Sequence, residues 1–286
     1  MKRILFYLLF MVFAIGSFAT GQEGDVIYIN GERWGLLGKP IDDNAILHKA
    51  LLDFLPEDRI TSTADCDGYT AYWSVRNHWL CLDSIKVIFM NWDTNEEYQK
   101  CIPAADLRSV FKFYYNNQHI VATWFSRRSI RAGKGNVVYY EHTGYERNTE
   151  YELIMTVNKG KVDIQNTFHN RVAVDGFSFT SHPITKDEMR TLFPLQVNQY
   201  PELKDVNRIM FSFENLCVDS SGNLINCEVT ALVWNFEEKK MKNVESIAKD
   251  MKKMLMDFRP WKTLYIHGQY IPEDKNGYTI PYYLDK

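Results

Sequence analysis

The sequence predicts an α+β protein with a mixed N-terminal domain and a small C-terminal hairpin–helix–strand domain. Three observations point there. Short runs of alternating apolar and polar residues recur between Gly, Asn and Ser turns. Three other segments carry apolar residues at steps of three and four instead. Aromatic residues make up 14% of the chain, and rings pack well on a pleated face.

The first element reads as an export signal covering residues 1–21. Lys2 and Arg3 precede an apolar run, residues 4–18, whose length suits a signal-peptide core. A membrane span needs roughly 20 residues, so a retained anchor is the weaker reading. Ser17/Ala19 and Ala19/Gly21 give small-residue cleavage options, and the cut before Gln22 is preferred. No second segment approaches spanning length. Removing residues 1–21 takes two of the 33 basic groups, leaving 31 against 36 acidic ones, a net charge of −5. A general nucleic-acid binder would carry a basic surplus.

Residues 22–183 form the expected N-terminal domain, whose role the residues leave open. Residues 25–30 make a short strand that turns at Asn30-Gly31. Any of Asp42, Asp43 and Asn44 can cap a helix whose stripe is Ile46/Leu47, Ala50/Leu51 and Phe54/Leu55, stopped by Pro56. Residues 69–92 fold back as strands around Arg76-Asn77-His78, and residues 91–100 read as a polar loop. Pro103 opens a second expected helix containing Leu107, Val110/Phe111 and Tyr114. Residues 120–125 and 136–140 read as strands, and residues 152–167 as a hairpin turning at 158–161. The connections are short, which favours antiparallel pairing.

The texture changes at Ser181-His182-Pro183, and a domain boundary is expected between Gly176 and Thr185. Residues 184–286 form the second domain. Thr185 and Glu188 have capping-box spacing for a short helix ending before Pro194. Ile209, Phe211 and Phe213 alternate with polar neighbours, a turn follows at 220–223, and residues 224–234 run extended. Met241, Val244, Ile247/Ala248, Met251, Met254/Leu255 and Phe258 then follow a helical stripe that covers the hairpin, and Pro260 ends it. Residues 264–266, a turn at Gly268 and a last strand over 278–284 close the chain.

These C-terminal features, in this order, resemble the TonB C-terminal domain family. The residues that carry the resemblance are Tyr200-Pro201, Phe211/Phe213, and Asp219-Ser220-Ser221-Gly222-Asn223. They continue with Phe258-Arg259-Pro260-Trp261-Lys262, His267-Gly268-Gln269-Tyr270-Ile271, and Ile280-Pro281-Tyr282-Tyr283. The match spans about residues 194–285. The resemblance implies a binding module that docks an extended peptide of an envelope or outer-membrane protein on an exposed strand edge. Here that edge is Tyr278, Thr279, Ile280, Tyr282, Tyr283 and Leu284. Pro281 removes a backbone donor from it. The family's energy transducers have a membrane anchor and a long Pro-rich spacer. This chain shows neither, so an exported protein that has borrowed the domain, periplasmic, envelope-associated or secreted, is expected instead.

Five cysteines remain, an odd number, and their spacings match no zinc signature. Cys217 and Cys227 each lie five residues from Gly222, so a turn centred there would oppose them as a disulfide or as two packed thiols. The seven histidines lack metal-site spacing, and there is no Gly-x-Ser-x-Gly elbow or phosphate-binding loop. Asp65-Cys66-Asp67-Gly68 opens like a calcium loop, but apolar and aromatic residues fill the later ligand positions. Cys66 sits between acids that oppose a thiolate. No catalytic residue, metal or cofactor is therefore expected. The basic run from Arg127 to Lys134 reads as a solvated loop rather than an anion site, and Trp34, Trp73, Trp79, Trp92 and Trp124 as core more than sugar platform. The expected function is partner binding by strand addition, linked to outer-membrane transport. The alternatives are a ligand-binding or structural N-terminal domain with the second as scaffold, or an exported hydrolase.

Overall fold

The computed structural model describes residues 21–91, 93–116, 119–141, 143–179, 184–204, 206–235, 239–274 and 276–284. Residues 1–20 of the export segment, Trp92, His142 and residues 181–183 therefore lie outside the described residues. The protein is α+β, strand-rich, and divides into two compact units, residues 1–136 with 141–167 and residues 137–140 with 168–286. No helix among the described residues is long and apolar enough to cross a membrane.

The first unit is built on one sheet. Its strands are β1 (Asp25–Ile29), β2 (Glu32–Leu36), β3 (Tyr69–Arg76), β4 (Trp79–Asn91), β5 (Glu96–Pro103), β6 (Tyr115–Asn116), β7 (His119–Val121), β8 (Arg127–Tyr140), β9 (Arg147–Asn158) and β10 (Lys161–His169). The spatial order is β10-β9-β8-β2-β1-β3-β4-β7-β6, with β5 also on β4. The hairpin turns carry paired positive φ angles, at Asn30/Gly31 and at Asn77/His78, the geometry that matches strand twist. Lys161 pairs with Trp79, flanked by backbone bonds from Leu80 to Gly160 and from Val162 to His78, so the sheet closes on itself.

Helix α1 (Ala45–Phe54) connects β2 to β3, which lets β3 return parallel to β1. The β1–β3 pair is thus parallel, where antiparallel strands were expected. The closed sheet wraps a core of Ile27, Leu36, Trp73, Ile85, Ile120 and Met155, capped by Leu47 and Leu51 of α1.

The second expected helix does not form. Residues 104–114 are successive turns, closed mostly by three-residue backbone bonds, as from Leu107 to Ala104 and from Tyr114 to Phe111. Leu107 and Phe111 are buried as their spacing required, because a chain of turns brings positions three and four apart to one side just as a helix does. Two expected loops are strands: residues 96–100 extend along β4, and the basic run lies in β8.

The second unit contains β11 (Arg171–Val174), α2 (Lys186–Leu192), two short 3-10 turns, β12 (Arg208–Val218), β13 (Leu224–Asn235), β14 (Lys240–Asn243) and α3 (Glu245–Asp257). After them come β15 (Thr263–Ile266), β16 (Gln269–Ile271), β17 (Glu273–Asp274) and β18 (Tyr278–Tyr283). Strands β11, β15 and β16 form a small sheet, and the larger one runs β14-β13-β12 with β17 and β18 both on the far side of β12. Thr185 and Glu188 close the reciprocal capping box that the sequence predicts.

Helix α3 begins at Glu245, later than its apolar stripe suggested, because Met241 belongs to edge strand β14. Its Ile247, Ala248, Met251 and Leu255 are buried with Ile209, Phe211 and Phe213 of β12, so the Met-bearing stripe is core. The unit starts earlier than residue 184: β11 pairs with β15, and Phe179 stacks on Phe213 at 5.0 Å. The aromatic residues at 177 and 179 are core anchors of the second unit, not the tail of the first.

Candidate functional site

Strand β18 carries five of the six residues singled out for partner docking, and the sixth, Leu284, follows it directly. Tyr278 to Tyr283 pair antiparallel with Phe213 to Arg208, without a bulge. The Leu284 N–H continues the ladder by donating to Asn207 O at 3.0 Å. Hydrogen-bonded positions alternate in an antiparallel pair, so Tyr278, Ile280 and Tyr282 direct their backbone groups at β12. Thr279, Pro281 and Tyr283 then direct theirs away from it.

Among the described residues, no strand pairs with that outer margin. It offers two N–H donors, at 279 and 283, and three carbonyl acceptors, because Pro281 has no N–H. Tyr282 is buried, and its hydroxyl oxygen accepts from the Leu195 N–H at 3.0 Å. Thr279 and Tyr283 are exposed.

The opposite sheet edge differs in kind. Strand β14 is four residues long, fully exposed, and carries Lys240 and Lys242. Short, lysine-bearing edges resist pairing with other chains. Strand β18 has no charged residue. A cleft of 470 Å³ at its end is lined by Val197, Tyr200, Leu203, Val206 and Leu284.

The cysteine pair does not meet. Asn215 adopts a positive φ of 53°, and the register shifts between Glu214 and Cys217, which leaves Cys217 opposite Asn226. Cys227 is buried in the core and Cys217 is half-buried, and both are free thiols. Burial pushes the Cys81 and Cys227 thiols up from their ordinary pKa. Native-state alkylation is therefore expected to label exposed Cys66 and Cys101 first and Cys217 more slowly, with Cys81 and Cys227 reacting only after unfolding. Peptide mapping by mass spectrometry reads this directly; a Cys217–Cys227 disulfide in the unreduced protein would contradict the register.

The first unit gathers charged side chains that the sequence scattered. Asn44, not Asp42 or Asp43, caps α1, accepting from Leu47 N at 3.1 Å. That releases the two aspartates to a cleft of 480 Å³ lined by Lys39, Asp42, Asp43, Arg127, Arg131 and Tyr145. Arg127 pairs with Asp43, Arg131 with Glu146 at 2.8 Å, and Lys134 with Glu32 at 3.0 Å. The basic run is thus largely neutralised in place, which removes the reason to read it as an anion-binding patch.

Behind the cleft, Lys39 is almost fully buried and reaches Asp65 at 2.5 Å and Asp67 at 3.9 Å. His48 Nε2 lies 3.2 Å from Asp67 Oδ2 and 3.6 Å from Asp42 Oδ1, and the Tyr69 hydroxyl donates to Asp42 Oδ1 at 3.1 Å. Asp25 is buried deeper, accepting from Ala71 N and Trp73 Nε1, each at 2.9 Å. Burial raises its carboxyl to about 7 against those two hydrogen bonds. Burial, with the surrounding aspartates, also pushes the Tyr145 phenol up to about 12.

Sequence reading missed this cluster. Its trace was the Asp65-Cys66-Asp67-Gly68 run, considered for calcium alone, because the partners of Asp67 lie far away in sequence at 42 and 48. Of the tryptophans, Trp34 and Trp73 are core, Trp124 is half-buried and donates to Pro40 O, and Trp79 is exposed. A stacked sugar platform therefore has one exposed ring among the described four.

No family model matches the chain, and no curated protein or solved structure is similar to it.

Proposed function

We propose that the protein is an exported envelope protein whose second unit binds a partner protein by strand addition on β18. The observation that carries this reading is the outer margin of β18: extended, uncharged, and unpaired among the described residues. Backbone groups that already face outward cost little to pair with a guest strand, and side-chain pockets add selectivity. The cleft beside Leu284, lined by Asn198 and Lys204 as well as apolar residues, would take one side chain of the guest. The likeness of the strand, strand, helix, strand order to the TonB C-terminal domain supports the same reading. It also suggests a link to outer-membrane transport. The missing donor at Pro281 makes this a selective acceptor, open to partners that need only two N–H bonds from it.

Hydrogen exchange tests the reading one amide at a time. The amides of Thr279 and Tyr283 are expected to exchange fast in the free protein, while those of Ile280 and Tyr282 stay protected. A partner captured from envelope extract should slow exchange at 279 and 283 by about tenfold or more. Protection elsewhere with no change at these two amides would remove β18 as the docking strand. A Thr279→Pro, Tyr283→Pro double variant should lose the partner while keeping the fold.

A second reading places a small ligand in the cleft bordered by Lys39, Asp42 and Tyr145, with the second unit as scaffold. It rests on the size and polarity of that cleft, and a thermal-shift screen distinguishes it.

A further inference from the structure

We infer that Asp42, His48 and Asp67 form a binding site for one divalent transition-metal cation of the zinc class. One ligand atom from each residue lies within 4.8 Å of the other two. Ligand atoms about 2.0–2.1 Å from such an ion, at tetrahedral angles, stand roughly 3.3 Å apart. The separations from His48 Nε2, 3.2 Å to Asp67 and 3.6 Å to Asp42, bracket that value, and the two carboxylate oxygens lie within 4.8 Å of each other.

An independent observation calls for a cation there. His48 Nε2 is completely buried and has no hydrogen-bond partner, although two carboxylate oxygens stand this close. A bare nitrogen lone pair facing two carboxylates is repelled by both. A proton on Nε2 meets neither oxygen at hydrogen-bonding geometry, whereas an ion between the three atoms binds all of them at once. The local charge points the same way: Asp25, Asp42, Asp65 and Asp67 surround a single ammonium, Lys39.

The outer contacts suit a metal centre. The Tyr69 hydroxyl donates to Asp42 Oδ1, and Lys39 holds Asp65 beside Asp67, so two acidic ligands are steadied by groups that do not compete for the ion. One imidazole with two carboxylates favours zinc or manganese over calcium, which prefers six or more oxygens. Three protein ligands leave at least one coordination position open, and Asp42 itself lines the cleft, so a small anion or water can complete the shell. This site is independent of strand addition by β18 and survives if that reading fails.

Cobalt(II) is the probe of choice, because its visible spectrum separates nitrogen and oxygen ligands from the free thiols of this chain. The intact protein is expected to bind one equivalent of Co²⁺, without thiolate charge-transfer absorption, and to release it to Zn²⁺. Saturation should raise the thermal midpoint by about 5 °C or more. His48→Gln and Asp67→Asn should each weaken binding by more than about tenfold, while Asp43→Asn, which pairs with Arg127 outside the triad, should bind as the parent does. No stoichiometric Co²⁺ in the parent protein would overturn the site whatever the variants do. Thiolate bands, or unchanged affinity in both ligand variants, would overturn it equally.

Discussion

Replacing Trp261 with alanine is expected to destabilise the protein by about 3–5 kcal/mol. Trp261 is 3% exposed and lies just beyond the end of α3. Its ring meets Phe177, Phe179 and Phe258 edge-on, with centroids 5.0, 5.9 and 6.2 Å away. Such contacts add to the burial of a large ring. The indole N–H also donates to Leu255 O at 3.3 Å, a carbonyl in the last turn of α3 that it shares with the Phe258 N–H. The backbone around it is equally committed, since Trp261 N donates to Gly222 O at 2.8 Å, tying the helix exit to the β12–β13 turn.

Alanine would therefore leave a cavity, remove one donor from Leu255 O and take one edge-on contact from each of three aromatic rings. Trp234→Ala is the control: that ring is 42% exposed on the far face of β13 and should cost less than about 1 kcal/mol. Chemical denaturation of both variants checks the contrast. Equal losses would mean that Trp261 is not the plug between helix and sheet.

What the sequence made legible was whatever buries one face. Phe211 and Phe213 alternate along β12, Met251 and Leu255 recur along α3, and the Thr185–Glu188 pair closes its capping box, so each could be placed from spacing alone. Elements without that asymmetry were misread. Residues 96–101 of β5 are exposed throughout, so no alternation distinguishes them from a loop. The glycines of β8 look like loop residues for a different reason. A Cβ at Gly133 would stand 2.4 Å from Thr149 Oγ1, so glycine is there to let two strands approach.

Turn centres are the second blind spot. Val218 pairs with Leu224, so the turn centres on Ser221 rather than Gly222, and Cys217, even with the register shift at Asn215, faces Asn226 instead of Cys227. Nothing in the local pattern announces it. The charged cluster was hidden by topology: Asp42, His48 and Asp67 meet because β3 returns beside β1 after α1 has crossed, and sequence spacing carries no trace of that return. The edge position of β18 was legible because it depends only on a late strand with one partner among the described residues.

The stability of the first unit is expected to fall as pH rises from about 4 to 7, through Asp25. Burial, the dominant cause, raises its carboxyl from 3.8 to about 7, overcoming the hydrogen bonds from Trp73 and Ala71 and the nearby Lys39 charge. In that window the folded chain keeps a proton that the unfolded chain has released. Stability therefore decreases with rising pH, and the loss is complete once the folded group has ionised. A displacement of that size corresponds to roughly 4 kcal/mol at most. Asp25→Asn isolates the effect from the other carboxylates. Its amide cannot ionise, and it presents one N–H group where two donors, Ala71 N and Trp73 Nε1, need acceptors. The variant should thus be less stable than the parent by about 1–3 kcal/mol near pH 4–5, from the unsatisfied donor. Above pH 7 the parent has lost its advantage, so the two should converge or cross. Denaturation of both proteins at pH 5 and pH 8 measures the change in their difference; a gap that stays constant across that range would show that Asp25 does not titrate in the folded protein as its burial demands.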